Sequence, residues 1–262
     1  MTSRPQSWKT ASSTQKFDEI QLVATDMDGT LTQEGSFSSA LLVALESLRE
    51  RNIDVMIVTG RSAGWLSGLV NYLPVVGAIA ENGGLYIDKK SPEPLILPDI
   101  PRMSQHRDRL SQIFTKLQQR YPQLRPSVDN PYRLTDWTFD IAGLSDEDIS
   151  ELKDLCHKSA MGFTYSNVQC HIQVPRQNKA AGLSRVLQRK FAHIASKNAL
   201  TIGDSPNDES LFDAAQFSNS VGVANVEHYL PVLNHAPAFI TEKPEVQGFL
   251  EVVDTLLSQR IS

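Results

Sequence analysis

The 262-residue chain is 40% hydrophobic and 21% charged, the usage of an ordinary globular protein, and its apolar runs are far too short to cross a bilayer. A formal net charge of -5, with no run of Lys or Arg, gives no electrostatic footprint for nucleic acid or an anionic lipid surface, so neither is expected as a partner. The two cysteines, Cys156 and Cys170, have no CxxC or Cys/His ligand spacing; they read as small buried hydrophobes in a reducing compartment, with cytoplasm the expected location.

In chain order, residues 1–17 are rich in Ser and Thr and lack an apolar core for a secretory signal. They read as a polar N-terminal tail, although organelle transit peptides share that composition. Residues 20–25 predict a strand, 38–51 a helix with Leu41, Leu42, Leu45 and Leu48 on one face, and 53–59 a second strand. A weaker helical spacing over 62–70 and a strand over 75–80 lead to Glu81-Asn82-Gly83-Gly84, a tight turn.

Between 85 and 174 the character changes. Four prolines within 91–101 predict a loop or crossing segment, Leu110, Ile113, Phe114 and Leu117 one face of a helix, and 133–142 an alternating strand. A helix over 145–159, capped by Ser145, and further strand over 163–174 complete this part. The first pattern then returns, with a helix over 178–191, a strand over 198–203 and a short helix from Pro206. Strands near 219–223 and 238–241 and a helix over 244–258 close the chain. The expected fold is α/β: a doubly wound, Rossmann-like parallel sheet over 18–84 and 175–262, with an inserted α+β cap over 85–174.

Polar residues at the strand ends carry the chemistry. Asp26, Thr59 and Asp204 each follow an apolar run directly, which places them on the one rim of a parallel sheet where ligands bind. Gly29, just after Asp26 and Asp28, argues that the first strand ends near Asp26 and turns over it. Lys179 opens a helix, where its charge opposes the macrodipole; an anion bound there would explain it. Singly, each has a plain reading as a turn, a helix cap or a first-turn charge. Together they suit phosphoryl transfer. Asp26 and Asp204 offer hard oxygens to Mg²⁺, Lys179, the Thr59 hydroxyl and the Gly60 N–H suit phosphoryl oxygens, and Asp28 is free for proton transfer.

Four stretches, TDMDGTLT (25–32), VTGR (58–61), Lys179 and GDSPND (203–208), resemble in order the motifs of the haloacid dehalogenase (HAD) superfamily of phosphohydrolases. The placement of the long insert resembles the C2-type cap of the class IIB, Cof-like and sucrose-phosphatase-like members. The resemblance implies that Asp26 is a nucleophile forming an aspartyl phosphate and Asp28 the general acid and base. It also implies Mg²⁺ on the Asp26 and Asp204 carboxylates and the Asp28 carbonyl, with Asp208 bound directly or through water. Thr59, Gly60, Lys179 and Asn207 would serve the phosphate. The implied substrate is a small phosphorylated metabolite, phosphosugars ahead of phosphoglycolate and cofactor phosphates. A phosphomutase and a non-catalytic phosphometabolite sensor are the alternatives. The fourth motif departs from the commoner GDGxND by Ser205-Pro206.

Some neighbouring residues stay open. Arg61 suits a substrate contact and a solvated position equally. Glu81, Asn82 and Gly83 suit a hinge, a substrate contact or a turn without a ligand. Gln169, His171 and Gln173 share strand parity and suit a polyol, as would a solvated sheet face, while Trp137 reads as core.

Overall fold

The structure, a computed structural model, describes residues 5–259 apart from Lys16, Pro92 and Asn167. Residues 1–4 and Lys16 of the expected tail, and one of the four loop prolines, therefore lie outside the described residues. The rest of the tail does not behave as one. Gln6–Ser7 is a strand (β1) and Trp8–Thr14 a helix (α1). Trp8 is the cause: it is 1% exposed, lies 4.7 Å from the Phe17 ring and 5.7 Å from that of Phe239, and donates its indole N–H to Thr255 Oγ1 at 3.1 Å. One aromatic side chain buries enough apolar area to hold down a segment whose average composition is polar.

The core elements follow as Leu22–Thr25 (β2), Ser39–Glu50 (α2), Asp54–Val58 (β3), Ala63–Tyr72 (α3), Gly77–Ala80 (β4), Leu85–Ile87 (β5) and Leu95–Ile96 (β6). The insert holds Met103–Arg120 (α4), Asp136–Asp140 (β7), Asp146–Lys158 (α5), Gly162–Tyr165 (β8) and Gln169–Gln173 (β9). The chain then returns through Lys179–Lys190 (α6), Ala199–Gly203 (β10), Asn219–Gly222 (β11), Phe239–Ile240 (β12) and Glu245–Gln259 (α7), with 3-10 turns at Pro206–Phe212 and Ala224–Val232. Among the described residues no helix is long and apolar enough to cross a membrane.

Nine strands form one sheet in the order β1-β12-β11-β10-β2-β3-β4-β5-β6, parallel up to β4 and antiparallel beyond it. Successive strand side chains point to opposite faces. Val23, Val55, Ile57, Leu200 and Ile202 meet α2, α3 and α7, whereas Leu22, Ala24, Met56, Val58 and Ala199 meet α6. Both faces are covered, which is why these strands read as continuous apolar runs rather than alternating ones. The core sheet also continues past residue 84. Leu85 and Tyr86 are buried in it, and the Tyr86 hydroxyl donates to the Val76 carbonyl at 3.2 Å. A two-residue strand among prolines is too short to show a period, so the sequence could not separate β6 from a loop.

The insert builds a three-stranded antiparallel sheet, β7-β9-β8, with α4 and α5 on one face. Ser145 caps α5 in a reciprocal pairing with Asp148. Cys156 and Cys170 are free and buried in this second core, where burial pushes both thiols up to about 12. The other face of β9 carries Gln169, His171 and Gln173, and it is turned toward the rim of the large sheet rather than to water: His171 and Gln173 are 1% and 3% exposed. The solvated-face reading is thereby corrected.

Candidate active site

β2 and β10 are neighbours, with Thr25 opposite Ile202. Asp26, directly after β2, and Asp204, directly after Gly203 at the end of β10, therefore leave the sheet as neighbours, where helices cross to opposite faces. Gly29 turns the chain over them at φ +81°, so close that a Cβ there would stand 2.5 Å from Asp204 Oδ2. Only glycine fits both constraints. Carboxylate oxygens of Asp26, Asp204 and Asp208 lie within 4.8 Å of one another. Lys179, the first residue of α6 and fully buried, donates to Asp26 Oδ1 at 2.5 Å and to Asp208 Oδ1 at 2.6 Å. The other Asp208 oxygen accepts from the backbone N–H of Asp204 at 2.9 Å and of Ser205 at 3.2 Å. Asp208 is thus engaged through both oxygens, whereas among the described residues Asp26 accepts from a side chain through Oδ1 alone.

Three buried carboxylates share one ammonium. Burial, with the charges of Asp208 and Asp28 adding to it and Lys179 opposing it, lifts Asp26 to about 7. Burial and the Asp26 and Asp208 charges hold Asp204 well above the usual range. Burial works against the Lys179 ammonium, but Asp208 and Asp26 outweigh it and keep the lysine charged. Hard oxygen donors in a cluster short of positive charge fit a divalent cation of the Mg²⁺ type.

Asp28 lines the same cavity as Asp26 but is paired with Arg61. Its two oxygens accept a bidentate pair from Arg61, Nε at 2.9 Å and Nη2 at 2.7 Å, and the guanidinium lies 4.6 Å over the Trp65 ring. Arg61 is therefore partly exposed but paired. Thr59 Oγ1 accepts from the Arg61 N–H at 3.2 Å, leaving its own proton available. Asn207 accepts from Ser205 Oγ at 2.7 Å and donates to Asn82 Oδ1 at 3.1 Å, so its amide ties the fourth motif to the third strand's turn. Asp26, Asp28, Thr59, Gly60 and Arg61 line a cavity of about 30 Å³ together with Gln169 and His171 of the insert. That is room for about two waters.

The turn at Glu81-Asn82-Gly83 holds the insert down. All three residues have positive φ, at 53°, 50° and 93°. The Glu81 carboxylate accepts from the N–H of Ala63, Leu134 and Thr135 and from the Thr135 hydroxyl, which over-determines this strained conformation. Burial and the Asp136 charge push Glu81 up to about 7 against the pull of Thr135 and Arg133. Arg133, fully buried, reaches the same rim: it donates to Asp129, to both oxygens of Asp136 and to the Gly60 carbonyl at 3.0 Å. Burial raises Asp136 but Arg133 and His171 outweigh it, so its carboxyl sits below the usual range. Trp137 packs on Phe114 beneath Arg107, in the insert's core.

The structure thus gathers Asp26, Asp204, Asp208 and Lys179 at one point and lines one cavity with Asp26, Asp28, Thr59, Gly60 and Arg61. Asn225 was not read from the sequence. Its amide donates to Asp204 Oδ2 at 2.9 Å and to the Gly29 carbonyl at 3.1 Å, and its Oδ1 accepts from the Glu245 N–H at 3.0 Å. Its place just beyond β11, a fourth strand end on the same rim, was the available signal. Arg133 and Asp136 gave none, because charges flanking a strand look the same on a surface.

The family model of the haloacid dehalogenase-like hydrolases matches residues 23–124 and 102–253. A phosphoglycolate phosphatase of Saccharolobus solfataricus is 31% identical over 243 residues, 91% of this chain and 96% of that one. The fold is similar to that of the sucrose-phosphatase of Synechocystis, with a TM-score of 0.66 at 18% identity, covering 90% of this chain and 98% of the other. It is also similar to a sugar phosphatase described as HAD subclass IIB, with a TM-score of 0.67 at 14% identity, covering 89% and 98%.

Proposed function

The chain belongs to the haloacid dehalogenase-like hydrolases, and on that premise we propose that it is a class IIB phosphatase that hydrolyses small phosphate monoesters with Asp26 as nucleophile, Asp28 as acid and base, and Mg²⁺ as cofactor. The observation that carries this reading is the setting of Asp26: buried at a strand end, paired with Lys179, beside Asp204 and in a cavity that the insert also lines. Bound Mg²⁺ would be held by Asp26, Asp204 and the Asp28 carbonyl, with Asp208 behind them, and would neutralise the carboxylate and the phosphoryl oxygens.

The chain's own groups do the rest. Lys179, the Thr59 hydroxyl and the Gly60 N–H receive the phosphoryl oxygens as their charge shifts. Asp26 attacks phosphorus in line, the bond to the alcohol oxygen breaks, and Asp28 gives that oxygen its proton. Asp28 then takes a proton from water, whose oxygen displaces Asp26 and releases phosphate. Arg61 has to let go of Asp28 before either transfer, and the incoming phosphate dianion is the anion that can draw it away.

Phosphosugars are the substrates that the polar lining by Gln169 and His171 suits. Phosphoglycolate is a second reading, favoured by the name of the Saccharolobus relative. The test is release of inorganic phosphate from a panel of monoesters, with Mg²⁺ and with EDTA, alongside Asp26→Asn. Metal-dependent release that disappears in the variant supports the proposal. Transfer of the phosphoryl group to a second hydroxyl would mark a mutase, and binding without turnover a sensor.

A further inference from the structure

We propose that His171 is the residue by which the insert reads the alcohol half of the substrate, accepting at Nε2 a hydrogen bond from a hydroxyl close to the ester. The proposal rests on the reading above that a phosphate ester binds beside Asp26.

The ring is fixed from behind. His171 Nδ1 lies 2.8 Å from Asp136 Oδ2, and Arg133 Nη1 lies 3.0 Å from each Asp136 oxygen. A carboxylate held by an arginine can only accept, so the imidazole proton belongs on Nδ1 and the lone pair on Nε2. Among the described residues Nε2 has no partner, although the side chain is almost wholly buried. The same ring lines the cavity with Asp26, Thr59 and Gly60, and its Cε1 would stand 3.2 Å from a Cβ placed on Gly60. An acceptor whose direction is already fixed at the wall of a cavity can take a ligand donor without reorganisation of the ring. Burial also disfavours the charged ring, which keeps the acceptor in place.

The surroundings then discriminate between ligands. A carboxylate on the substrate would meet the Nε2 lone pair and the Asp26 and Asp28 carboxylates. Of the nearby cations, Arg133 is held by Asp129 and Asp136, and Arg61, once it leaves Asp28, is taken up by the phosphate. A hydroxyl one or two carbons from the ester oxygen is the group that fits. Arg133 also ties the insert to the core beside this ring, through its bond to the Gly60 carbonyl.

Three two-carbon esters isolate the effect: 2-hydroxyethyl phosphate, ethyl phosphate and 2-phosphoglycolate. In the wild type kcat/KM for the hydroxyethyl ester should exceed that for the ethyl ester by about tenfold, the worth of one well-made hydrogen bond, with phosphoglycolate below both. His171→Phe should bring the hydroxyethyl to ethyl ratio close to one, and His171→Gln, whose amide oxygen also accepts, should restore part of it. A wild-type ratio near one, a preference for phosphoglycolate, or a ratio that survives His171→Phe overturns the assignment. The wild-type ratios decide even if a variant fails to fold. Failure of the folded wild type to release phosphate from p-nitrophenyl phosphate as well would instead remove the underlying phosphatase mechanism.

Discussion

Replacing Asn225 with Ala removes two donors at once, from Asp204 Oδ2 and from the Gly29 carbonyl. Asp204 is left with the Thr30 hydroxyl at 3.3 Å as its remaining side-chain donor. A hydrogen bond to a charged group contributes about 1.5–3 kcal/mol, and Asp204 is already pushed upward by burial and two neighbouring carboxylates. Its proton is then held more tightly, and a cation must displace it. Loss of such an outer partner typically weakens a metal site by about 10- to 100-fold, or about 1.4–2.8 kcal/mol. The assay is phosphate release at saturating ester while Mg²⁺ is varied. The half-activating concentration should rise by that factor, with turnover at saturating Mg²⁺ within a few-fold of wild type. Asn225→Asp, which sets another carboxylate against Asp204, should shift it further. The global stability cost should stay near 1–2 kcal/mol, since the Gly29 and Glu245 groups released by the change are only partly buried and can turn to water. An unchanged Mg²⁺ requirement in a folded Asn225→Ala protein would refute the reasoning.

Lys179→Met leaves Asp26 and Asp208 buried without their cation, so a loss of about 3–5 kcal/mol in urea unfolding is expected, with activity abolished; a variant as stable as wild type would contradict the pairing. Gly29→Ala combines left-handed backbone, about 1–2 kcal/mol, with a Cβ 2.5 Å from Asp204 Oδ2. Its Mg²⁺ requirement should rise, and an unaffected metal titration would show that the turn tolerates a methyl group. Burial pushes Glu81 up to about 7 in the fold, against an ordinary value of 4.5. A raised acid stabilises the fold below its unfolded pKa and loses that contribution as pH rises through the folded one. The stability of wild type relative to Glu81→Gln should therefore fall between pH 4.5 and pH 7, by on the order of 3 kcal/mol at about 1.4 kcal/mol per unit, and a difference constant with pH in thermal melts would exclude this.

Asp26, Thr59, Asp204, Lys179 and the Ser145 cap were legible in the sequence because each is defined by residues within a turn or two of itself. A strand end, a helix start and a reciprocal cap are local geometry, and one rim of a parallel sheet is where strand ends must collect. Trp8 escaped because composition averaged over a segment hides a single large apolar side chain whose partners, Phe239 and Thr255, lie at the far end of the chain. The pairs Arg61 with Asp28, Arg133 with Gly60 and Asn225 with Gly29 span 33, 73 and 196 positions. A sequence states which groups a side chain is able to satisfy; which of them comes within 3 Å is set by how helices and insert pack. His171 marks the division. Its strand parity with Gln169 and Gln173 was evident from the residues alone, but parity only says that three side chains share a face. Docking of the insert on the core decided that this face looks into a cavity beside Asp26, with Asp136 and Arg133 holding the ring behind it.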